Sequence, residues 1–249
     1  RYHAKKSVSP REYSTPEGFD FEGIKTSLAD INGEVGEESL NLVKRVGIPV
    51  ADSVAVQTSA EAVAAADMIG YPVVMKIVSP DALHKSDVGG VLVNIKNEEA
   101  VSRGFTTLQT NLFAHRSNAR FDGVRVIKMA PDGYDMFVGG HLDDSFGPIA
   151  FFGYGGIYIE IFRDVQSILC PSDKEEISEK MSKLQSYSLL HGARGRGTGN
   201  IAAYIDAVER ISHLLARFRE IKELDINPLR ILADGSGVIA LDARMRTDV

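Results

Sequence analysis

With 249 residues, 44% of them hydrophobic and 25% charged, the chain is long enough for one large domain or two small lobes with real cores. Its formal net charge of -6 argues against nucleic acid as the main partner, because a phosphate backbone selects a basic surface. No apolar run approaches the roughly 20 residues that span a bilayer, no secretion signal opens the chain, and a single cysteine allows neither an internal disulfide nor a cysteine metal cluster.

The expected location is therefore the cytoplasm, with no membrane partner, and Cys170 reads as a small buried hydrophobe. A chain that opens on Arg1 is expected to be a processed product or a piece of a longer polypeptide.

Residues 1–25 are rich in Ser, Pro, Glu, Lys and Arg without a sustained period, and read as a linker or N-terminal arm. A helix is expected over 37–45, ended by Gly47 and Pro49. A strand over 50–56 follows, then a helix opened by the capping box Thr58-Ser59-Ala60-Glu61 and stopped by Gly70. The spacing predicts strands over 71–77 and 91–95, a long helix over 98–115, and strands over 123–129, 134–140 and 149–152. A second capping box, Ser172-Asp173-Lys174-Glu175, opens a helix, and Ile201, Ile205, Val208, Leu215 and Phe218 mark one face of another. Strands over 223–229 and 238–243 close the chain. Irregular alternation with adjacent strand pairs predicts α+β or mixed α/β architecture with antiparallel sheets, not a doubly wound parallel sheet.

Four segments carry candidate chemistry. Lys76 ends the apolar run Pro72-Val73-Val74-Met75, where a lysine either reaches phosphate oxygens from a rigid strand or simply sits at a wet end. Leu83-His84-Lys85-Ser86-Asp87-Val88-Gly89-Gly90-Val91 sets an imidazole, a cation and a hydroxyl beside a glycine pair, which suits either an anion nest or a solvated turn. Phe151-Phe152-Gly153-Tyr154-Gly155-Gly156-Ile157-Tyr158-Ile159-Glu160 is a glycine-rich site in an apolar frame. It marks a close approach to a ligand or a tight hairpin, and Glu160 needs a lysine, a ribose hydroxyl or a metal-bound water as partner. In Asp225-Ile226-Asn227 the period of two puts both oxygen-bearing side chains on one strand face. If Asp234-Gly235 is a hairpin turn, Asn227 lies opposite Asp242, and two such oxygens suit Mg²⁺.

Together these segments resemble one family. Gly70-Tyr71-Pro72-Val73-Val74-Met75-Lys76, the His-Lys-Ser-Asp loop, Phe146-Gly147-Pro148, Gly153-Tyr154-Gly155-Gly156, Arg194-Gly195 and Glu223-Leu224-Asp225-Ile226-Asn227-Pro228-Leu229 are similar to the β-subunit, ATP-grasp domain of ADP-forming acetyl-CoA synthetases. Succinyl-CoA synthetase β subunits are a more distant resemblance without the His-Lys-Ser loop. The resemblance implies an ATP-grasp domain over 26–249, with a smaller lobe over about 50–125, a C-terminal lobe over about 126–249, and nucleotide between them. It implies that Lys76 contacts phosphates, with Gly89, Gly90, Gly155 and Gly156 approaching them. It further implies that the backbone at Lys128 and Met129 recognises adenine, that Asn227 and Asp242 hold Mg²⁺, and that Glu160 and the phosphorylated relay His84 are the catalytic pair.

The implied cofactors are ATP/ADP and Mg²⁺, and the reaction is acid + ATP + CoA ⇌ acyl-CoA + ADP + phosphate. CoA and the acid belong to an α subunit or further domain. Asp135 departs from the family's usual glutamate and Lys128 from its common glutamine, and the opening around residues 33–38 is altered. Two other readings are a regulatory module of an acyl-CoA-synthetase-like protein acetyltransferase and a direct-transfer carboxylate ligase. The His84 loop argues against the second, which needs no relay.

Overall fold

The computed structural model describes residues 13–29, 31, 33–82, 85, 87–156, 164–192 and 197–248. In chain order its elements are α1 (Phe21–Ala29), β1 (Gly33–Val35), α2 (Glu37–Arg45), β2 (Ser53–Val56), α3 (Ser59–Ile69), β3 (Val73–Val78), β4 (Val91–Ile95), α4 (Glu98–His115), β5 (Gly123–Lys128), β6 (Gly133–Asp143), β7 (Gly147–Tyr154), β8 (Val165–Leu169), α5 (Lys174–Met181), a 3₁₀ segment Gln185–His191, α6 (Ile201–Arg217), β9 (Ile221–Leu232), β10 (Val238–Ala240) and β11 (Ala243–Thr247). They form two compact units: Ala51–Pro131, and Arg1–Val50 together with Asp132–Val249. Among the described residues no helix is long and apolar enough to cross a membrane.

The Ala51–Pro131 unit is a four-stranded antiparallel sheet in the order β2-β5-β3-β4. Alternation decides its faces: along β3, Val73, Met75 and Ile77 are buried while Val74, Lys76 and Val78 are only partly so. Val73 and Met75 pack with Val124 and Val126 against Ala62, Ala65 and Ala66 of α3 and Val101, Phe105 and Leu108 of α4, while Ile77 packs in a smaller cluster with Ala82, Leu112 and Ala119. Burying each valine, leucine or phenylalanine contributes about 1.5–3 kcal/mol. Thr58 caps α3 as expected, since its hydroxyl accepts from the Glu61 N–H while the Glu61 carboxylate accepts from the Thr58 N–H. Asn97 caps α4 in the same manner, accepting from Ala100 N–H.

The larger unit is a seven-stranded antiparallel sheet in the order β1-β11-β9-β6-β7-β8, with β10 also on β9. Its core joins Met136, Val138, Phe152, Leu224, Ile226 and Leu229 from the sheet to Tyr204, Val208, Ile211 and Leu215 of α6. Tyr204 is fully buried, and its hydroxyl donates to the Phe137 carbonyl at 2.5 Å.

Three local expectations need correction. The N-cap of α5 is Asp173 rather than Ser172, because the Asp173 carboxylate accepts from Glu176 N–H while the Ser172 hydroxyl donates to the Glu176 side chain. The stretch assigned to a linker or arm contains the start of α1, whose Ile24 and Leu28 enter the core. Finally, β8 and β11 are strands in their own right, and β11 rather than β10 carries most of the pairing with the first half of β9.

Candidate nucleotide and metal site

The β9–β10 hairpin fixes the two proposed metal ligands. Leu229, Arg230 and Ile231 pair with Ala240, Ile239 and Val238, and Leu232 N–H donates to Gly237 O at 2.9 Å. The loop therefore spans four residues, 233–236, rather than the two-residue turn expected. It remains centred on Asp234–Gly235, so the register is the expected one. Asn227 N–H donates to Asp242 O at 3.2 Å, which sets these residues side by side on adjacent backbone.

On the same strand Leu224 and Ile226 point to the core, while Asp225 and Asn227 are partly exposed on the opposite face. The Asn227 Oδ1 accepts from Gly156 N–H at 2.8 Å, and Asp242 Oδ1 accepts from Ala243 N–H at 3.1 Å. Two oxygen donors oriented by backbone amides fit a hard cation that completes its shell with water and phosphate oxygens. Among the described residues, no group of three or more His, Cys, Asp or Glu could hold a metal by itself.

Sequence reasoning gave less weight to the charges around this pair. Asp135 on β6 forms a bidentate ion pair with Arg230 of β9, at 2.7 and 3.1 Å. The aspartate that replaces the family's usual glutamate thus has a fixed cationic partner on the neighbouring strand. Burial pushes the Asp225 carboxyl up to about 6, with Arg244 opposing the rise and Asp242 and Glu223 adding to it.

Gly155 and Gly156 follow β7 and meet β6. Gly155 N–H donates to Asp135 O at 2.9 Å, and a Cβ on Gly155 would lie 2.4 Å from the carbonyl of Met136. Gly156 has φ +75°, the left-handed region that glycine enters without strain. Both glycines are thus required by the sheet's own backbone.

In the smaller unit, Lys76 lies on the sheet face away from α3 and α4, in register with Arg125 of β5 and Val91 of β4. Gly89 (φ +61°) is held by Asn111, whose Nδ2 donates to Gly89 O at 2.9 Å, and Gly90 N–H donates to Lys85 O at 2.7 Å. At Lys128 and Met129 the backbone N–H groups are committed, to Asp52 O at 2.8 Å and Pro72 O at 3.2 Å. The Lys128 ammonium donates to Gly70 O at 2.7 Å. His84, Ser86, Glu160 and Arg194-Gly195 lie outside the described residues.

Two antiparallel sheets, one with a lysine on its open face and one with an Asn–Asp hairpin beside a glycine-rich turn, are the parts of an ATP-grasp domain, and the ATP-grasp domain family model matches residues 34–247. The chain is 41% identical over 222 residues to the β subunit of ADP-forming acetate–CoA ligase I of Pyrococcus furiosus, covering 89% of this chain and 95% of that one. It is 39% identical over 209 residues to the ADP-forming 4-hydroxybutyrate–CoA ligase of Nitrosopumilus maritimus, of whose length it spans 30%. Dinucleotide-forming acetyl-coenzyme A synthetase 1 of Ca. Korarchaeum cryptofilum, solved with coenzyme A, Ca-AMPCP and HgCl+, has a TM-score of 0.84 at 33% identity, covering 91% of this chain and 98% of that one. The same protein with coenzyme A and Mg-AMPPCP, its phosphohistidine segment pointing towards the nucleotide site, has a TM-score of 0.75 at 32% identity, covering 90% and 97%. The chain belongs to the ATP-grasp family of ADP-forming acetate–CoA ligase β subunits and domains.

Proposed function

We propose that this chain is the nucleotide-handling half of an ADP-forming acyl-CoA synthetase, catalysing with a partner acid + ATP + CoA ⇌ acyl-CoA + ADP + phosphate. The observation that carries the reading is the juxtaposition of Asn227 and Asp242 across the hairpin, with the Gly156 N–H directed at Asn227. This hairpin lies within the span matched by the Pyrococcus furiosus β subunit. The Korarchaeum relative, with its nucleotide analogues and divalent cations, supports ATP/ADP and Mg²⁺ as the cofactors.

Asn227 and Asp242 would hold Mg²⁺, which when bound offsets phosphate charge. Lys76 meets the phosphates from β3, and Glu160 lies beside them. His84 is the phosphoryl carrier. Its neutral imidazole attacks the γ-phosphorus, a P–N bond forms, the P–O bond to ADP breaks, and ADP leaves with the electron pair. Covalent carriage suits two reaction sites on separate domains, because the phosphoryl group cannot be lost by diffusion between them. CoA and the acid are bound by an α subunit or a further domain, as the β-subunit names and the longer single-chain relatives support. The cytoplasm is the proposed compartment.

The test is phosphoryl transfer from γ-labelled ATP with Mg²⁺, with the CoA-binding partner present. Acid-labile, base-stable label is expected on the wild type and absent from a folded His84→Ala variant. Equal labelling of both proteins refutes the relay, and acyl-CoA formation by the purified chain without a partner refutes the half-enzyme.

A further inference from the structure

Residues 79–90 join β3 to β4 and carry His84, the relay of the proposed reaction. Both ends of this connection are fastened to one place, the last turns of α4 and the residues just after it. On the entry side the Asp81 carboxylate accepts from Arg116 Nη1 at 2.7 Å and from the Arg120 backbone N–H at 2.8 Å. The next residue, Ala82, is buried with Ile77, Leu112 and Ala119. On the exit side Asn111 Nδ2 donates to Gly89 O at 2.9 Å, and Ile77 N–H donates to Gly90 O at 2.8 Å. Val88 packs on the same small cluster as Ala82.

The entry clamp sets a distance. Asp81 lies three positions before His84, so even a fully extended chain holds the two Cα atoms within about 10 Å. Without the carboxylate, the next residue upstream tied to another element is Val78, which pairs with Gly123 and whose carbonyl accepts from Asp122 N–H at 2.9 Å. The bonds from Asp81 N–H to Ser79 Oγ and from Ala82 N–H to Ser79 O stay inside the connection. Ala82 adds a single methyl group, less than the backbone freedom it would have to fix. From Val78 the reach is about 20 Å, and the volume open to the imidazole grows about eightfold. A nucleophile spread over more space meets the phosphorus less often, and reactive alignment is lost with displacements of about 1 Å. The Arg116 side chain is half exposed, where an ion pair contributes little to stability, so placement is the larger effect of the clamp.

We infer that Asp81 and Asn111 are positioning residues for the phosphoryl step, pinning the chain on either side of His84 to the end of α4. The inference rests on the proposed relay and adds to it two residues that touch neither nucleotide nor phosphate. It makes the rate of phosphoryl capture, and not the affinity for nucleotide, depend on residues 81 and 111.

The experiment is single-turnover labelling of the full chain from saturating γ-labelled ATP with Mg²⁺, the CoA-binding partner present. It compares wild type, Asp81→Ala, Asp81→Asn and Asn111→Ala, with ADP affinity from calorimetry and the urea midpoint measured for each. Asp81→Ala is expected to slow labelling about fivefold or more while ADP affinity stays within about twofold. Asp81→Asn keeps an acceptor for the Arg120 N–H and recovers part of the rate. Asn111→Ala slows labelling by a smaller factor, because Ile77 still holds Gly90. An unchanged rate in Asp81→Ala overturns the assignment of Asp81, and in Asn111→Ala that of Asn111. A slower rate matched by an equal loss of ADP affinity also overturns it, since that marks a structural role. If Asp81→Ala unfolds, Asp81→Asn and Arg116→Gln decide by the same comparison of rate with affinity. A wild type that takes no label would instead overturn the relay reading itself.

Discussion

The backbone N–H of Gly156 donates to Oδ1 of Asn227 at 2.8 Å, joining the glycine-rich turn after β7 to the strand that carries the proposed metal ligand. The second lone pair of that oxygen remains for a cation, and the amide fixes where it points. Asn227→Ala and Asp242→Ala are therefore expected to weaken ADP binding about tenfold or more in the presence of Mg²⁺ and to change it little in its absence. Titration calorimetry with and without the metal measures this, and an unaltered Mg²⁺ dependence would remove the residue from the ligand set.

Gly155 should tolerate no side chain. A Cβ there would stand 2.4 Å from the Met136 carbonyl carbon and oxygen, both backbone atoms of β6 that cannot swing aside. Gly155→Ala is expected to cost about 1–3 kcal/mol through forced displacement of the turn. A chemical denaturation midpoint equal to that of wild type would show that the turn relaxes freely.

Lys128 has a structural use that its proposed role at the adenine does not require. Its Nζ donates to Gly70 O, tying the end of β5 to the glycine that stops α3. Replacing it with methionine keeps the stem and removes the charge-assisted bond, for an expected loss of about 1–2 kcal/mol. On the proposed reading, in which adenine is recognised here through the backbone, ADP affinity should stay within a few-fold. A large affinity loss at unchanged stability would assign the ammonium to the ligand instead.

His213 is buried in α6, edge-on to the Tyr13 ring, and burial followed by the nearby Arg217 charge holds its pKa below the usual 6.5. The unfolded chain therefore binds the proton more readily than the folded one. Stability is full above pH 6.5 and is lost as pH falls towards the folded value. The urea midpoint of wild type should drop between pH 7.5 and 5.5 by more than that of His213→Gln. Parallel pH profiles for the two proteins would place the acid sensitivity elsewhere.

Much of this fold was legible because the signals are local. The Thr58–Glu61 capping box, the alternation along β3 and the Asp234–Gly235 centre of the hairpin each act within a few residues. The hairpin register survived a longer loop than expected because residues 233–236 are added symmetrically about the same centre. What was not legible depends on partners distant in sequence. The helix α1 offers only two fully buried residues and makes sense only against the rest of the core. The Asp135–Arg230 pair spans 95 residues, the Arg125–Ser53 bond 72 and the Lys128–Gly70 bond 58, so none appears as a motif. In sequence the glycines at 155 and 156 mark either a close approach to a ligand or a tight hairpin, and the backbone contact of Gly155 with β6 and the left-handed φ of Gly156 become visible only in the fold.

The division of the chain also dictates an order of assembly. The Ala51–Pro131 unit is contiguous and has all its strands once residue 131 has been made. The other unit is not, because β1 at residues 33–35 pairs with β11 at residues 243–247, and Val50 bridges to Ala240. On a ribosome that releases the N-terminus first, the inserted sheet can close while α1, β1 and α2 still wait for the last strand. Truncation by as few as the final five residues removes the Met245 and Thr247 partners of Val35 and Gly33. It is therefore expected to leave the early part of the larger unit without its place in the sheet, while the inserted unit remains intact.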